Sequence, residues 1–214
     1  MSDAMDPPIV HIVDDDASLR RALDSLFRST GQAVRLYDSA DSFLQAQLPD
    51  APGCIVLDVR MPGMSGFDAQ HRLDALGVHL PIIFMTGHGD IPMSVRAMKA
   101  GAMDFLAKPF RDQELLDAVA AALARSKAQR AELGKRDALT AAYATLTARE
   151  RQVMALVAAG KMNKQVAGDL ALSEITVKIH RGAAMRKMGA KTLADLVRMA
   201  EALGVRAGAG SSPA

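Results

Sequence analysis

Five side chains of this sequence could together handle a phosphoryl group and a divalent cation: Asp14, Asp15, Asp58, Thr86 and Lys108. Each follows a short apolar run. Ile9-Val10-His11-Ile12-Val13 leads into Asp14, Asp15 and Asp16; Cys54-Ile55-Val56-Leu57 leads into Asp58. Ile82-Ile83-Phe84-Met85 leads into Thr86, and Asp104-Phe105-Leu106-Ala107 into Lys108 and Pro109. Several carboxylates in one place repel one another unless a cation balances them. Magnesium takes hard oxygen ligands, commonly one or two carboxylates together with phosphate and water. Asp15 and Asp58 suit direct coordination, with Asp14 acting through water. A carboxylate can also attack phosphorus and carry an aspartyl phosphate. Catalysis of such a transfer is mostly positioning and charge neutralisation. Lys108 would add positive charge and Thr86 a hydrogen bond to a phosphoryl oxygen, while Asp16 suits the cap of the following helix.

This chemistry needs elements that bring the five positions to one place. Apolar runs of four or five residues, bounded by polar and turn residues, read as buried parallel strands. In an open α/β sheet the functional crevice lies outside the carboxyl ends of the strands. The pattern predicts helices over 17–29, 39–48 (stopped by Pro49), from the 60–66 loop to about 76, over 91–99, and from about 112. A further strand is expected over Ala33–Tyr37, and a loop over Gly87-His88-Gly89-Asp90. Five βα units of this size make a doubly wound, five-stranded parallel sheet with right-handed crossovers.

Charge divides the chain. Residues 1–125 hold 11 Lys+Arg and 17 Asp+Glu, a net of −6, whereas residues 126–214 hold 15 and 7, a net of +8. An acidic half joined to a basic half suggests two modules with different partners, the basic one suited to nucleic acid. The lone cysteine, Cys54, sits inside a predicted strand, so no disulfide framework exists within the chain. Residues 1–8 are acidic and lack an apolar core, which does not fit a signal peptide. No uncharged apolar stretch is long enough to cross a bilayer, and a cytoplasmic protein without a membrane partner is expected. No Gly-x-x-x-x-Gly-Lys-Ser/Thr loop is present, so no ATPase module is expected.

Residues 118–142 are Ala-rich and charged and read as a helix leaving the first module. From Leu146 the pattern is of short helices only. Thr147-Ala148-Arg149-Glu150 is a capping box opening a helix that ends at Gly160. Helices over 164–170 and 174–188, joined by Ala171-Leu172-Ser173, fit a helix-turn-helix. The exposed side of the second carries Lys178, Arg181, Arg186 and Lys187, with Thr176 near its start. Thr192 caps a fourth helix with Leu193, Leu196, Val197 and Ala200 on one side. The expected organisation is therefore a module over 1–125, a helical linker over 126–143, an all-α module over 144–204, and a disordered tail over 205–214.

The motifs Val13-Asp14-Asp15-Asp16, Leu57-Asp58-Val59-Arg60-Met61-Pro62, Thr86-Gly87-His88-Gly89-Asp90 and Lys108-Pro109-Phe110 resemble the receiver domain of bacterial two-component response regulators. The later stretches Leu146-Thr147-Ala148-Arg149-Glu150-Arg151, Asn163-Lys164 and 173–180 resemble the four-helix LuxR/NarL type of DNA-binding domain. Together they resemble the NarL/FixJ family, nearer its FixJ branch. The resemblance implies a flavodoxin-like sheet of order 2-1-3-4-5 and phosphorylation of Asp58 by a histidine kinase. It implies magnesium, or manganese in its place, held by Asp15, Asp58 and the backbone carbonyl of Arg60. It implies a cis Lys108–Pro109 bond and a switch pair, Thr86 and Phe105. On double-stranded DNA it gives Lys178, Ile179 and Arg181 base or backbone contacts and Lys164 a phosphate contact. Homodimerisation on activation falls to the surface of Val95, Met98 and Lys99 with Phe105, and on DNA to Leu193 and Val197.

Three departures stand out: Gly182 inside the recognition helix, Gly168 inside the helix before it, and Gln165 where glutamate is frequent. Gly182 removes one possible DNA contact. Two other readings stay open: a receiver that dimerises without phosphorylation, and a magnesium phosphohydrolase with an aspartyl-phosphate intermediate. Against the latter, Arg60 occupies the position where such enzymes commonly place an acid. His11 reads as a core histidine and His88 as a loop residue beside Thr86.

Overall fold

The computed structural model describes residues 7–87 and 91–205. The chain divides into two compact units, 1–130 and 131–214, each described separately below. The first contains β1 (Ile9–Val13), α1 (Ala17–Ser29), β2 (Ala33–Tyr37), α2 (Ala40–Gln45), β3 (Gly53–Asp58), α3 (Gly66–Ala75), β4 (Ile82–Thr86), α4 (Ile91–Lys99) and β5 (Asp104–Ala107). The strands are all parallel, in the order β2-β1-β3-β4-β5. Residues of β1, β3 and β4 are buried almost without exception, as expected where helices cover both faces. One apolar layer joins Val10, Ile12, Val56 and Met85 to Leu23 and Phe27 of α1 and Leu115 and Val119 of the next helix. The other joins Val13, Ile55, Leu57 and Phe84 to Phe43 of α2, Phe67 and Leu73 of α3 and Ala97 of α4.

Local signals set the boundaries. Asp16 caps α1, accepting from the Ser18 and Leu19 amides. The second helix is shorter than the expected 39–48. It stops at Gln45 because Ala46 turns extended, so Pro49 is not its terminator. Ala40 and Phe43 are its buried residues, and Leu44 packs half-buried against the same core. The strand expected over 54–57 takes in Gly53 and Asp58 as well.

Helix α5 (Asp112–Ala144) carries residues of both units. Within the first, the buried Ser126 Oγ accepts from the Gly53 amide at 3.1 Å, and Arg130 pairs with Asp50. The second unit adds α6 (Ala148–Ala158), α7 (Asn163–Leu170), α8 (Glu174–Met188) and α9 (Leu193–Ala202). Val153, Val157, Val166 and Val177 form one small core; Met154, Ala184, Met188, Leu196 and Ala200 form another. Among the described residues, no helix is long and apolar enough to cross a membrane.

Candidate functional site

The register of the sheet aligns the carboxyl ends of its strands. Val13 lies beside Leu57, Asp58 beside Met85, and Thr86 beside Ala107. Asp14 follows the end of β1, Asp58 ends β3, Thr86 ends β4 and Lys108 follows β5. One carboxylate oxygen each from Asp14, Asp15 and Asp58 lies within 4.8 Å of the others. Lys108 Nζ stands 2.7 Å from Asp14 Oδ2 and 3.3 Å from Asp58 Oδ2. Asp14 and Asp58 are buried and Asp15 is exposed, so the cluster opens to solvent through Asp15. The Lys108 amide donates to the Thr86 carbonyl at 2.7 Å, and Lys108–Pro109 is cis. Thr86 itself is buried.

The electrostatics follow from this packing. Burial is the first cause that raises the Asp58 pKa above the ordinary carboxylate value, opposed by Lys108 and reinforced by Asp14. Three carboxylates face one ammonium. Hard, anionic oxygens in excess of local cation are the donor set that a small divalent ion satisfies. Two details were not legible beforehand. Arg20 Nη1 donates to the Asp14 carbonyl at 2.5 Å, tying α1 to the pocket. Gly66 begins α3 directly behind β3: a Cβ there would collide with the Asp58 carbonyl oxygen. The Gly63-Met64-Ser65-Gly66 turn signal located a loop, but close approach to Asp58 depends on how that loop folds back. A groove of about 550 Å³ opens beside the pocket, lined by Leu19, Leu23, Leu26, Lys108, Pro109 and Phe110.

In the second unit α7 and α8 are joined by a turn in which Ala171 takes a left-handed conformation, φ 52°. Ser173 caps α8, accepting from the Thr176 amide at 3.1 Å. Val177, Ala184 and Met188 point into the core, leaving Lys178, Ile179 and Arg186 on the outer face. A short helix, a tight turn and a longer capped helix with a basic outer face form a helix-turn-helix.

Residues 10–120 match the family described as "Response regulator receiver domain", and residues 144–200 that of "Bacterial regulatory proteins, luxR family". Nodulation protein W of Bradyrhizobium diazoefficiens is 56% identical over 206 residues, covering 96% of this chain and 91% of that one. FixJ of Azorhizobium caulinodans is 48% identical, covering 92% and 93%. The solved structure of the response regulator StyR aligns with TM-score 0.84 and 48% identity, covering 91% of this chain and 98% of StyR. The chain belongs to the NarL/FixJ family of response regulators. It is a two-component response regulator, a receiver joined to a LuxR-type DNA-binding domain, whose partners are a histidine kinase and DNA.

Other residues named from the sequence fall as follows in this response regulator. Phe105 is half-buried against the α2–α3–α4 layer. Val95 and Met98, 45% and 50% exposed, stand on α4 with exposed Lys99. Arg60 is exposed, and its amide donates weakly to Asp58 Oδ1 at 3.4 Å. Lys164 is exposed; Thr176 is half-buried, its hydroxyl 2.8 Å from Ser173 Oγ. Leu193 is exposed and Val197 half-buried, while Leu196 and Ala200 of the same helix are buried.

Two members of the expected basic face differ. Arg181 is half-buried and donates to Asn163 Oδ1 at 3.2 Å, linking α8 to the start of α7. Lys187 pairs with the buried Glu150 at 2.7 Å and donates to the Thr145 carbonyl, so it braces the capping box of α6. Lys187 is exposed as helical spacing predicts and Arg181 only partly so; the partners that claim them are distant in sequence. Gln165 takes over the capping task, accepting from the Met162 amide at 2.8 Å. His11 is buried, with Nδ1 3.2 Å from the Tyr37 hydroxyl. The expectation for His88 lies outside the described residues, as does most of the expected tail.

Proposed function

We propose that Asp58 is the phosphoacceptor of this regulator and that its phosphorylation controls pairing of the chain and its grip on DNA. The observation that carries this reading is the meeting of Asp14, Asp15 and Asp58 within 4.8 Å, with Lys108 bonded to two of them. An Asp58 oxygen attacks the phosphorus of a kinase phosphohistidine. The P–N bond breaks, its electron pair stays on the imidazole nitrogen, and an acyl phosphate forms. The groove beside Lys108 gives the carrier of that histidine an apolar seat. Lys108 neutralises charge on the transferred group, and the Thr86 hydroxyl donates to one of its oxygens. Asp15, Asp58 and the Arg60 carbonyl would hold magnesium or manganese, with Asp14 acting through water. Such an ion supplies charge neutralisation at the phosphoryl oxygens. Slow hydrolysis of the acyl phosphate in the same pocket resets the protein.

The new phosphate adds about two negative charges. Movement of Thr86 and Lys108 towards it changes the surface of α4 and β5 around Phe105, where Val95, Met98 and Lys99 pair two receivers. Leu193 and Val197 pair the DNA-binding domains, which occupy half-sites about one helical turn apart. Lys164, Thr176, Lys178 and Ile179 form the DNA contact set, and Arg181 joins it by turning from Asn163 to the DNA backbone. We assign the receiver to residues 1–125, the linker to 126–143 and the DNA-binding domain to 144–204, acting in the cytoplasm beside the DNA.

The test is phosphate uptake from acyl phosphate and magnesium by the full chain and by Asp58→Asn, followed by DNA binding of each. Uptake by the wild type alone, with tighter DNA binding after treatment, is expected. Labelling of the variant would show the acceptor to lie elsewhere. DNA affinity indifferent to the donor would favour a constitutive dimer.

A further inference from the structure

Of the three clustered carboxylates, Asp15 has the least to hold it. It is exposed, and among the described residues its carboxylate has no hydrogen bond or ion pair. Asp14 beside it is gripped at every polar group. Its amide donates to the Tyr37 carbonyl at 3.2 Å, its Oδ1 accepts from the Asp16 amide at 2.9 Å, and its Oδ2 accepts from Lys108. Its carbonyl lies past the end of β1, outside the strand ladder, and accepts from Arg20 Nη1 at 2.5 Å. No other donor reaches that oxygen among the described residues. The carbonyl belongs to the peptide unit that carries Asp15, a planar group that turns as one piece. Whatever fixes it fixes the root of the Asp15 side chain.

Arg20 does nothing for the stability of its own helix. It is the fourth residue of α1, whose first turn holds no acid, and a cation near a helix N-terminus opposes the macrodipole. It also stands beside a cation site, where its charge works against a bound metal ion. Both penalties are set against one contact, the bond to the Asp14 carbonyl. We propose that Arg20 is a positioning residue of the pocket: by holding the 14–15 peptide it keeps the Asp15 carboxylate aimed at the space it shares with Asp14 and Asp58. This rests on the reading of the pocket as a magnesium- or manganese-dependent phosphoacceptor site and adds a residue to it. Groups that touch no metal themselves set its affinity by fixing how the ligands point. That support matters most for a ligand that nothing else restrains, and here that ligand is Asp15.

The test is calorimetric titration of the full chain with magnesium, for the wild type, Arg20→Met and Arg21→Met, with a melting curve of each in chelator. Charge and positioning predict opposite signs. Losing a positive charge beside a cation site tightens magnesium binding, whereas losing the grip on the peptide weakens it. Arg20→Met should weaken binding roughly tenfold while still melting cooperatively in chelator. Arg21 is exposed and bonds only the Ser18 hydroxyl, at 3.4 Å. Arg21→Met removes the same charge one residue on and should bind magnesium no more weakly than the wild type. Phosphate uptake from acyl phosphate by Arg20→Met should need about tenfold more magnesium for half its maximal rate, with that maximal rate close to the wild type's. Unchanged or tighter binding by Arg20→Met, equal weakening by Arg21→Met, or an Arg20→Met chain already unfolded in chelator would each overturn the proposal. A wild type that takes up no magnesium would instead overturn the reading of the pocket on which it rests.

Discussion

Asp58→Asn should make the receiver more stable in the absence of metal. The magnitude can be worked from the pocket. At an effective dielectric constant of about 20, Lys108 at 3.3 Å attracts the Asp58 carboxylate by about 5 kcal/mol. Asp14 and Asp15, within 4.8 Å, each repel it by at least about 3.5 kcal/mol on the same scale. Repulsion exceeds attraction by about 2 kcal/mol, and desolvation of the buried carboxylate adds to it. Asp15 is exposed and partly screened, which reduces the gain to about 1–2 kcal/mol. For a domain of this size that raises the melting temperature by roughly 3–8 °C. The sign with pH follows from the raised pKa: the folded state holds the Asp58 proton more tightly than the unfolded chain. The wild type therefore recovers stability as pH falls through the folded pKa, and its deficit against the variant narrows. Magnesium at a hundred times its dissociation constant should stabilise the wild type by about 2.7 kcal/mol, and the variant by much less. The assay is calorimetry of both proteins in chelator and in magnesium, at neutral and mildly acidic pH. An Asn variant that melts lower than the wild type at neutral pH in chelator would refute the charge reasoning.

Further outcomes follow from single contacts. Burial lowers the His11 pKa from 6.5 to about 4, so its contribution is complete above pH 6.5 and is lost as pH falls towards 4. That loss amounts to about 3 kcal/mol; urea midpoints at pH 7 and 4.5 should lie closer together in His11→Gln than in the wild type. Gly182→Ala should raise the stability of the DNA-binding unit by about 0.5–1 kcal/mol, since a Cβ there meets nothing closer than 3.7 Å; thermal melts would read it. Lys187→Met should lower the stability of that unit by about 1 kcal/mol by leaving Glu150 without its ammonium partner. Because Lys187 is the first cause that holds the Glu150 pKa down, this difference should be present at neutral pH and disappear as acid protonates the carboxylate.

The features legible in the sequence were those set by local chemistry. Alternating apolar runs and turn residues located all five strands, and capping residues located the starts of α1, α6, α8 and α9. The acidic pocket was legible for the same reason: parallel strands must end together, so residues just past their ends converge. Tertiary competition was not legible. α2 ends where Ala46 turns extended, three residues before Pro49, and no local pattern marks that point. Lys187 and Arg181 carry the right charge at the right spacing, yet Glu150 and Asn163 hold them, and no local pattern reveals those partners. Gly66 resembles any turn glycine until the Asp58 carbonyl arrives against it.

The bond from Gly53 to Ser126 has a bearing on how news of phosphorylation travels. Gly53 opens β3 and Asp58 closes it, five steps of about 3.3 Å apart, or roughly 17 Å. The outgoing helix is thus stapled to the floor of the sheet, while the charge arrives at its rim. Between the two runs a single buried strand, paired to a neighbour on either side, so whatever displaces Asp58 tugs at the same length of backbone that anchors the outgoing helix.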